Sequence, residues 1–515
     1  MQRIIELKEI LFTQKSNFED KYTFLSYGII SIWLSESKQM RVIIAGAGEV
    51  GRGIASALRG ERRSVALIDP NPDAISSSQS LDCLLVTGSA LSRDSLLRAG
   101  ISDAEIIVMA TNNDELNLLA CSFAKKVYSE QVGDRNASGL ICIARIRNTN
   151  LVDEMKGAAP LEKWSRADNT VCASEEIVDH LVTGLLAPSL NDIVPLGDNT
   201  WIAISEVKEN SPLIGSTTSE PSQAKDDISA FIPPIYAIKS KGEKEVLSNG
   251  SEIIKEGDTL VFVTNSTSKF RLITRALGAL DSELPDNPTV AIFGATHFGS
   301  KIAKRYLSSG SSVVIIEPDL DTANEIVGSE IGINKRLDVI HGDPQDEELL
   351  RELAIDEQDI AISTLDDDNL NISISMRAKD KGVSRTGLLL KDRALVEAVK
   401  RIGLTRPVSS RQVAISAILK SIHKNYPGSY QNIPSLPSIV SLSTIINSDH
   451  ILINSSIKDA ELNLDVRVVM IDRTDDEGNR ELRYPISVNS IENGDRVYLL
   501  TQKDNLRKVE KALGN

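Results

Sequence analysis

The sequence predicts an α/β protein with two doubly wound parallel-sheet domains, each followed by a small α+β domain. Three observations lead to this prediction. A glycine-rich turn follows an apolar run at residues 41–51, apolar strand-like runs alternate with helical segments after it, and the whole pattern restarts at Thr289. Alternation of strands and helices indicates βαβ units and therefore a parallel sheet.

The first glycine turn has the spacing Gly-x-Gly-x-x-Gly, with its glycines at Gly46, Gly48 and Gly51. In a Rossmann-like domain the first glycine makes the tight turn, the second lets the backbone approach a pyrophosphate, and the third lets the helix pack on the strand. The phosphates then lie at the helix N-terminus, where free N–H groups and the helix dipole favour anions. The predicted ligand contacts in this turn are Gly46, Ala47, Gly48, Glu49, Val50 and Gly51.

An acidic residue ends the next apolar run, at Asp69, 18 residues after Gly51. A carboxylate at this position accepts both ribose hydroxyls and repels a 2′-phosphate, so NAD or another adenosine ribose is favoured over NADP. A glycine-rich structural turn that binds no ligand is the alternative interpretation.

The later strands of this domain end in small and polar residues. Ligands of parallel sheets bind at the carboxyl ends of the strands, which nominates Gly88, Ser89, Thr111 and Asn112 as further walls of the pocket. Each of these residues is also suited to an ordinary turn or helix cap. A helix from Ser174 follows, whose apolar stripe is typical of a core helix or of a contact with a second subunit.

The pattern then repeats, with a second turn at residues 294–299 and a second strand ending in an acid, Glu317. The first glycine of the turn and the acid are 23 positions apart in both copies (46 to 69 and 294 to 317). Thr296 replaces the middle glycine, so the second pocket is either occluded or holds a smaller or differently placed ligand. The predicted contacts of this second, weaker site are Gly294, Thr296, Gly299, Glu317, Gly342 and Asp343.

Composition excludes several classes of protein. A net charge of -15 argues against nucleic acid as a partner, because nucleic acid requires a basic surface. The four cysteines lack metal-ligand spacing and none of the five histidines forms an i, i+4 pair, so we predict no metal site and buried thiols in a reducing cytoplasm. The longest uncharged run, residues 22–35, is too short to span a membrane. Residues 1–39 are expected to be a poorly ordered extension or to result from a misread start codon.

The duplicated order and several motifs resemble the TrkA family, the cytoplasmic regulatory subunits of Trk-type potassium uptake systems. The motifs are the turn at residues 46–51, Gly88-Ser89-Ala90, the segment 211–215 and Glu256-Gly257-Asp258. The resemblance implies two Rossmann-like RCK-N (KTN) domains, each followed by a small α+β TrkA-C (RCK-C) domain. The expected divisions are an extension at 1–39, RCK-N 1 with its linker helix at 40–190, TrkA-C 1 at 191–275, RCK-N 2 at 288–425 and TrkA-C 2 at 433–510.

The resemblance also implies function: NAD(H), or else ATP or ADP, changes the shape of a tetrameric RCK ring. This ring would lie peripherally on the cytoplasmic face of the membrane, on a potassium channel-like subunit, and would gate it. Two residues depart from the family pattern. Glu49 stands where relatives that hold a triphosphate often carry arginine, with Arg52 and Arg145 as compensating cations, and Ser89 replaces the usual aspartate.

Three functions remain open at this point. The first is a ligand-sensing regulator without catalysis, favoured because the small domains show no acid–base or nucleophile constellation. The second is an NAD-dependent oxidoreductase that uses the first Rossmann-like domain and would need a general base near the nicotinamide. The third is an interaction scaffold with vestigial pockets.

Overall fold

The computed structural model describes most of the chain from Arg41 onward. The described residues are 41–133, 139–148, 151–152, 161–197, 199–219, 232–281, 283–423, 429–433, 435–474 and 480–513. The predicted N-terminal extension and most of the polar loop at residues 216–230 lie outside them. No helix of the described residues is long and apolar enough to cross a bilayer.

The first domain is a six-stranded parallel sheet with the strand order β3-β2-β1-β4-β5-β6. The order reverses between β1 and β4, which is where doubly wound sheets open a crevice for ligands. The elements are β1 (Arg41–Ala45), α1 (Glu49–Gly60), β2 (Ser64–Asp69), α2 (Pro72–Ser76), β3 (Leu84–Thr87), α3 (Arg93–Arg98), β4 (Ile106–Met109), α4 (Asp114–Val132), β5 (Ile141–Arg145), α5 (Leu161–Ser165) and β6 (Asn169–Val171).

A connecting helix and a small antiparallel sheet follow. The strand order of this sheet is β10-β9-β11-β8-β7. The elements are α6 (Ser174–Leu186), β7 (Asp192–Gly197), β8 (Thr200–Glu206), β9 (Ile235–Lys239), β10 (Val246–Leu247), β11 (Thr259–Thr264) and α7 (Phe270–Ala276).

The second half of the chain repeats this architecture. Its parallel sheet has the order β14-β13-β12-β15-β16-β17 and its antiparallel sheet has the order β18-β19-β22-β20-β21, so the predicted fold class is confirmed. The first set of elements is β12 (Thr289–Phe293), α8 (His297–Ser308), β13 (Ser312–Glu317), α9 (Leu320–Gly328), β14 (Leu337–His341), α10 (Glu347–Glu352), β15 (Ile360–Ser363), α11 (Asp368–Asp380), β16 (Arg385–Leu390), α12 (Arg393–Arg401), β17 (Arg406–Ser409) and α13 (Ser410–His423). The second set is β18 (Ser429–Asn432), β19 (Ile439–Ile445), α14 (Ile457–Leu464), β20 (Val466–Thr474), β21 (Arg480–Arg483), β22 (Arg496–Gln502) and α15 (Leu506–Leu513).

The helix after each parallel sheet crosses over and packs on the other half of the chain. Leu181 and Leu185 of α6 lie on β16, where a Cβ added to Gly387 would approach their methyl carbons to 3.2 and 3.1 Å. In return, Ile415 of α13 lies against α1, with its Cδ1 only 2.2 Å from the position of a Cβ added to Gly53. The stripe on α6 therefore needs no second subunit, because it is buried in the core of the second Rossmann-like domain.

The two small domains pack sheet against sheet in one shared core. Its apolar residues come from both halves, for example Ile202 and Val261 from the first and Val469 and Leu500 from the second. The hydroxyl of Tyr236 donates to the Val469 carbonyl oxygen at 3.0 Å across this interface. The chain is thus an internal dimer of its two halves.

Candidate functional site

The first glycine turn has one glycine that packing does not require. Gly46 has φ +106°, and a Cβ on Gly51 would lie 1.8 Å from the Gly46 carbonyl oxygen, so both positions demand glycine. A Cβ on Gly48 would meet no heavy atom within 4 Å. The space above Gly48 is open, as approach of a phosphate to this backbone requires.

The helix N-terminus beside Gly48 is also open. No side chain of the described residues caps α1 through a hydrogen bond. The N–H groups of a first helical turn have no partner within their own helix, and without a cap they are available to an anion. Ala47 and Val50 are buried in the apolar core, so they can contribute to binding only through their backbone.

The acid of the first site also holds the turn together. One carboxylate oxygen of Asp69 accepts a hydrogen bond from the Ala47 N–H at 2.7 Å, and the other accepts from the Asn71 N–H at 2.8 Å. A carboxylate has about four acceptor positions, so the predicted ribose contact remains feasible beside these two bonds.

The other predicted residues of the first site make turn contacts. Gly88 donates its N–H to the Asp69 carbonyl oxygen at 2.9 Å, and the hydroxyl of Ser89 accepts from the Leu91 N–H at 3.1 Å. The Thr111 hydroxyl donates to the amide oxygen of Asn117 at 2.6 Å. These three residues make the turn contacts of the alternative interpretation, and their contact with a ligand stays a prediction.

The second turn has the same backbone but a filled helix N-terminus. Gly294 has φ +100°, and a Cβ on Gly299 would lie 2.1 Å from the Gly294 carbonyl oxygen. The hydroxyl of Thr296 accepts from the Gly299 N–H at 3.3 Å and donates to the Thr364 carbonyl oxygen at 3.1 Å. Thr296 thus uses a donor that is left open in the first copy.

The acid of the second site repeats the contacts of Asp69. Glu317 accepts from the N–H groups of Ala295 at 2.5 Å and Asp319 at 2.9 Å. Gly342 donates to the Glu317 carbonyl oxygen at 3.0 Å, and the carboxylate of Asp343 accepts from the Gln345 N–H at 2.8 Å.

A cavity of about 940 Å³ lies between the two Rossmann-like domains. Both domains and both crossover helices line it, and among the predicted site residues it brings together Asn112, Arg145, Thr296 and Glu317. The other predicted residues are not among the described residues that line it. They are Gly46, Ala47, Gly48, Glu49, Val50, Gly51, Asp69, Gly88, Ser89 and Thr111 of the first site, and Gly294, Gly299, Gly342 and Asp343 of the second.

Two arginines on the first domain give this cavity positive charge. The Arg145 guanidinium hydrogen-bonds the side-chain oxygen of Asn112 at 3.4 Å, and that of Arg147 hydrogen-bonds the main-chain oxygen of Asn112 at 3.3 Å. Among the described residues, neither guanidinium has a carboxylate within 4.0 Å. Burial, followed by repulsion from Arg147, lowers the pKa of Arg145 to about 10, against an opposing effect of Asp114. An anionic ligand group would compensate this desolvated charge.

A third arginine comes from the other half of the chain. Arg411 of α13 forms an ion pair with Glu49, the first residue of α1, so the acid that departs from the family pattern is neutralised. Sequence reasoning identified Arg145 but missed Arg147 and Arg411. The signal that could have identified Arg147 is its position two residues after Arg145, just beyond the carboxyl end of β5, where ligands of parallel sheets bind.

Comparison with known proteins gives consistent results over nearly the whole chain. The TrkA-N domain model matches residues 42–159 and 290–410. The chain is 25% identical over 478 residues to the Trk system potassium uptake protein TrkA of Azorhizobium caulinodans, covering 92% of this chain and 98% of that protein. It is 28% identical over 394 residues to the protein of the same name from Vibrio alginolyticus, covering 75% of this chain and 80% of that protein.

A solved structure has the same fold. The structure titled "GsuK channel bound to NAD" aligns with a TM-score of 0.51 at 16% identity, covering 99% of this chain and 91% of that one. The chain thus carries two segments that match the TrkA-N domain, in the two parallel-sheet domains, and it is similar to TrkA proteins over nearly its whole length.

Proposed function

We propose that this chain is a nucleotide-sensing regulatory subunit that gates a Trk-type potassium uptake system. The observation that carries the proposal is the first glycine turn, where the space above Gly48 and the N-terminus of α1 are both open. The names of the relatives in Azorhizobium and Vibrio support potassium uptake as the process.

The ligand that fits best is NAD(H), with ATP and ADP as competitors. Gly48 and the first turn of α1 would hold the phosphates, Asp69 would accept the ribose hydroxyls, and Arg145 would supply positive charge. The related fold titled as bound to NAD supports this ligand class. Thr296 caps the second helix, so we expect the second site to bind more weakly.

Regulation would follow from the way the halves interlock. A ligand at the first glycine turn would contact the N-terminus of α1, whose first residue, Glu49, is paired with Arg411 of the crossover helix α13. A nucleotide shifts a conformational equilibrium only when it binds the two conformations with different affinity. We propose that four chains form a ring that docks on the cytoplasmic face of a potassium-translocating membrane protein.

We propose that the chain performs no catalysis. His180 lies on α6, where burial lowers its pKa to about 4, with Arg406 acting in the same direction and Asp192 against it. A general base for hydride transfer works best with a pKa near the operating pH, so His180 does not meet that requirement.

Reciprocal substitutions test the assignment of the two sites. Calorimetry of the full chain with NADH, NAD, ATP and ADP should show one strong site. Gly48→Thr should abolish it, because the side chain occupies the open space and caps α1. Thr296→Gly is the matched variant and should strengthen the second site.

A dehydrogenase screen should accompany these titrations. Turnover of a hydroxy acid would establish the oxidoreductase, and absence of all nucleotide binding would favour the scaffold. Co-purification of the chain with a potassium-translocating membrane protein tests the proposed partner, and mass measurement of the purified chain tests the tetramer.

A further inference from the structure

A buried cluster of charges joins the first Rossmann-like domain to the last small domain. Its centre is His423, the last residue of α13, whose side chain is 1% exposed. One ring nitrogen lies 2.7 Å from a carboxylate oxygen of Glu510 on α15, and the other lies 3.1 Å from a carboxylate oxygen of Glu61 at the end of α1. The imidazole is therefore held between two carboxylates from different domains.

Two further side chains contact these carboxylates. Arg63 pairs with the second oxygen of Glu510, and the hydroxyl of Tyr430 donates to Glu61 at 2.9 Å. The Tyr430 ring stacks on the imidazole with 3.9 Å between the ring centroids. With His423 protonated, the imidazolium and Arg63 place two positive charges against Glu61 and Glu510. With His423 neutral, the two glutamates lose the buried cation that lies between them, so the compensation of their charges in a low dielectric is weaker.

The contacts within the cluster favour the charged forms of His423 and Glu61. The hydrogen bonds and charges of Glu510 and Glu61 raise the pKa of His423 although burial alone would lower it. Burial would raise the pKa of Glu61, but its contacts with His423, the charge of Lys503 and the Tyr430 hydrogen bond lower it overall. Arg507, on the side of α15, faces the same glutamates and Arg63. Tyr430 is held in its neutral form, because burial and the two carboxylates raise the pKa of its phenol.

We propose that this cluster is a proton-operated joint: protonated His423 fastens the first Rossmann-like domain to the last small domain, and loss of its proton to solvent loosens the attachment. The residues of the joint are separate from those of the glycine turn. The joint lies at the opposite end of α1 from the glycine turn and at the opposite end of α13 from Arg411.

The raised pKa of His423 and the lowered pKa of Glu61 determine how the stability of the joint depends on pH. A raised folded pKa means that the contribution of His423 is complete below its unfolded value of about 6.5 and is lost as the pH rises through the folded value. The lowered pKa of Glu61 gives a contribution that is present above about 4.3 and is lost on acidification. The joint is therefore tightest in mildly acidic solution and loosens as the pH rises through the raised folded pKa of His423.

Hydrogen exchange of the full chain without nucleotide tests this joint. Exchange of residues 506–513, corrected for intrinsic base catalysis, should speed up between about pH 6 and pH 8.5, by about tenfold for each unit that the folded pKa exceeds the unfolded one. His423→Gln should remove this pH dependence. His450→Gln is the matched control, because His450 is also buried in the last small domain but burial lowers its pKa, opposite to the shift at His423.

Imidazole NMR of the labelled chain gives a second readout. The His423 signal, assigned from its loss in His423→Gln, should titrate above about 6.5. If that variant does not fold, Glu510→Gln should move one imidazole midpoint downward. Titration at or below the ordinary value, or pH-dependent exchange that survives His423→Gln, would overturn the proposal.

Discussion

Replacement of Asp69 separates its role in the turn from its role in binding. In Asp69→Ala both backbone N–H groups that it accepts from lose their partner. Asn71 is exposed and its N–H can bind water, whereas Ala47 is fully buried. The structural cost therefore comes from one buried donor, and such a donor left unsatisfied costs about 1–3 kcal/mol.

This cost is measurable as faster hydrogen exchange in the first domain. About 1–3 kcal/mol corresponds to an increase of roughly 5- to 150-fold in the opening equilibrium. The same variant should weaken NAD binding in calorimetry at least about tenfold through loss of a charge-assisted hydrogen bond to the ribose. Glu317→Ala is the matched control, because Glu317 makes the same two contacts in the second copy.

Glu317→Ala should destabilise the second Rossmann-like domain and leave NAD binding at the first glycine turn unchanged. Unchanged exchange in Asp69→Ala would show that the carboxylate does not support the turn. Unchanged NAD affinity would refute the assignment of Asp69 to the ribose.

Three further outcomes follow from contacts between the halves. The side chains of the ion pair between Arg411 and Glu49 are both partly exposed. A double-mutant cycle with alanine should therefore give a coupling energy of at most about 1 kcal/mol in urea unfolding. A larger value would indicate a buried pair. Gly53→Val should destabilise the chain by about 1–3 kcal/mol because its side chain collides with Ile415, and Ile415→Ala in the same chain should recover part of the loss. Arg385→Met should cost about 1–3 kcal/mol in the same assay, because the guanidinium donates to the last carbonyl groups of α6; a neutral effect would show that water replaces it.

The parts of the site that sequence predicted are those set by local backbone chemistry. Gly46 and Gly51 are fixed by a positive φ or by contact within the turn, and Asp69 ends the neighbouring strand. These requirements leave a spacing that can be read along the chain. The hydrogen bond from Ala47 to Asp69 was missed because the ribose interpretation was sufficient to explain the acid.

The parts that sequence did not predict depend on contacts between distant residues. Glu49 and Arg411 form an ion pair across the two halves, and the sequence around each residue does not indicate this partner. A signal did exist in α13. Val413 and Ala414 pack in the core of the second Rossmann-like domain. Ile415 and Ile418 pack instead in the core that includes residues of the first Rossmann-like domain. A helix with apolar residues around most of its surface is expected to be buried on several sides.

The crossover gives a physical reason why two unequal sites can still act as one sensor. Arg411 joins the first residue of α1 to α13, which begins directly after the parallel sheet of the second domain. The helix after the second turn, α8, is likewise joined to α6, by the ion pair of its Lys301 with Glu175. A ligand that changes the position of α1 therefore acts on a helix rooted in the other domain, even when Thr296 keeps the second helix N-terminus capped. Loss of the strong site in Gly48→Thr should then alter hydrogen exchange in α13 as well as in α1, which a ligand confined to one domain would not do.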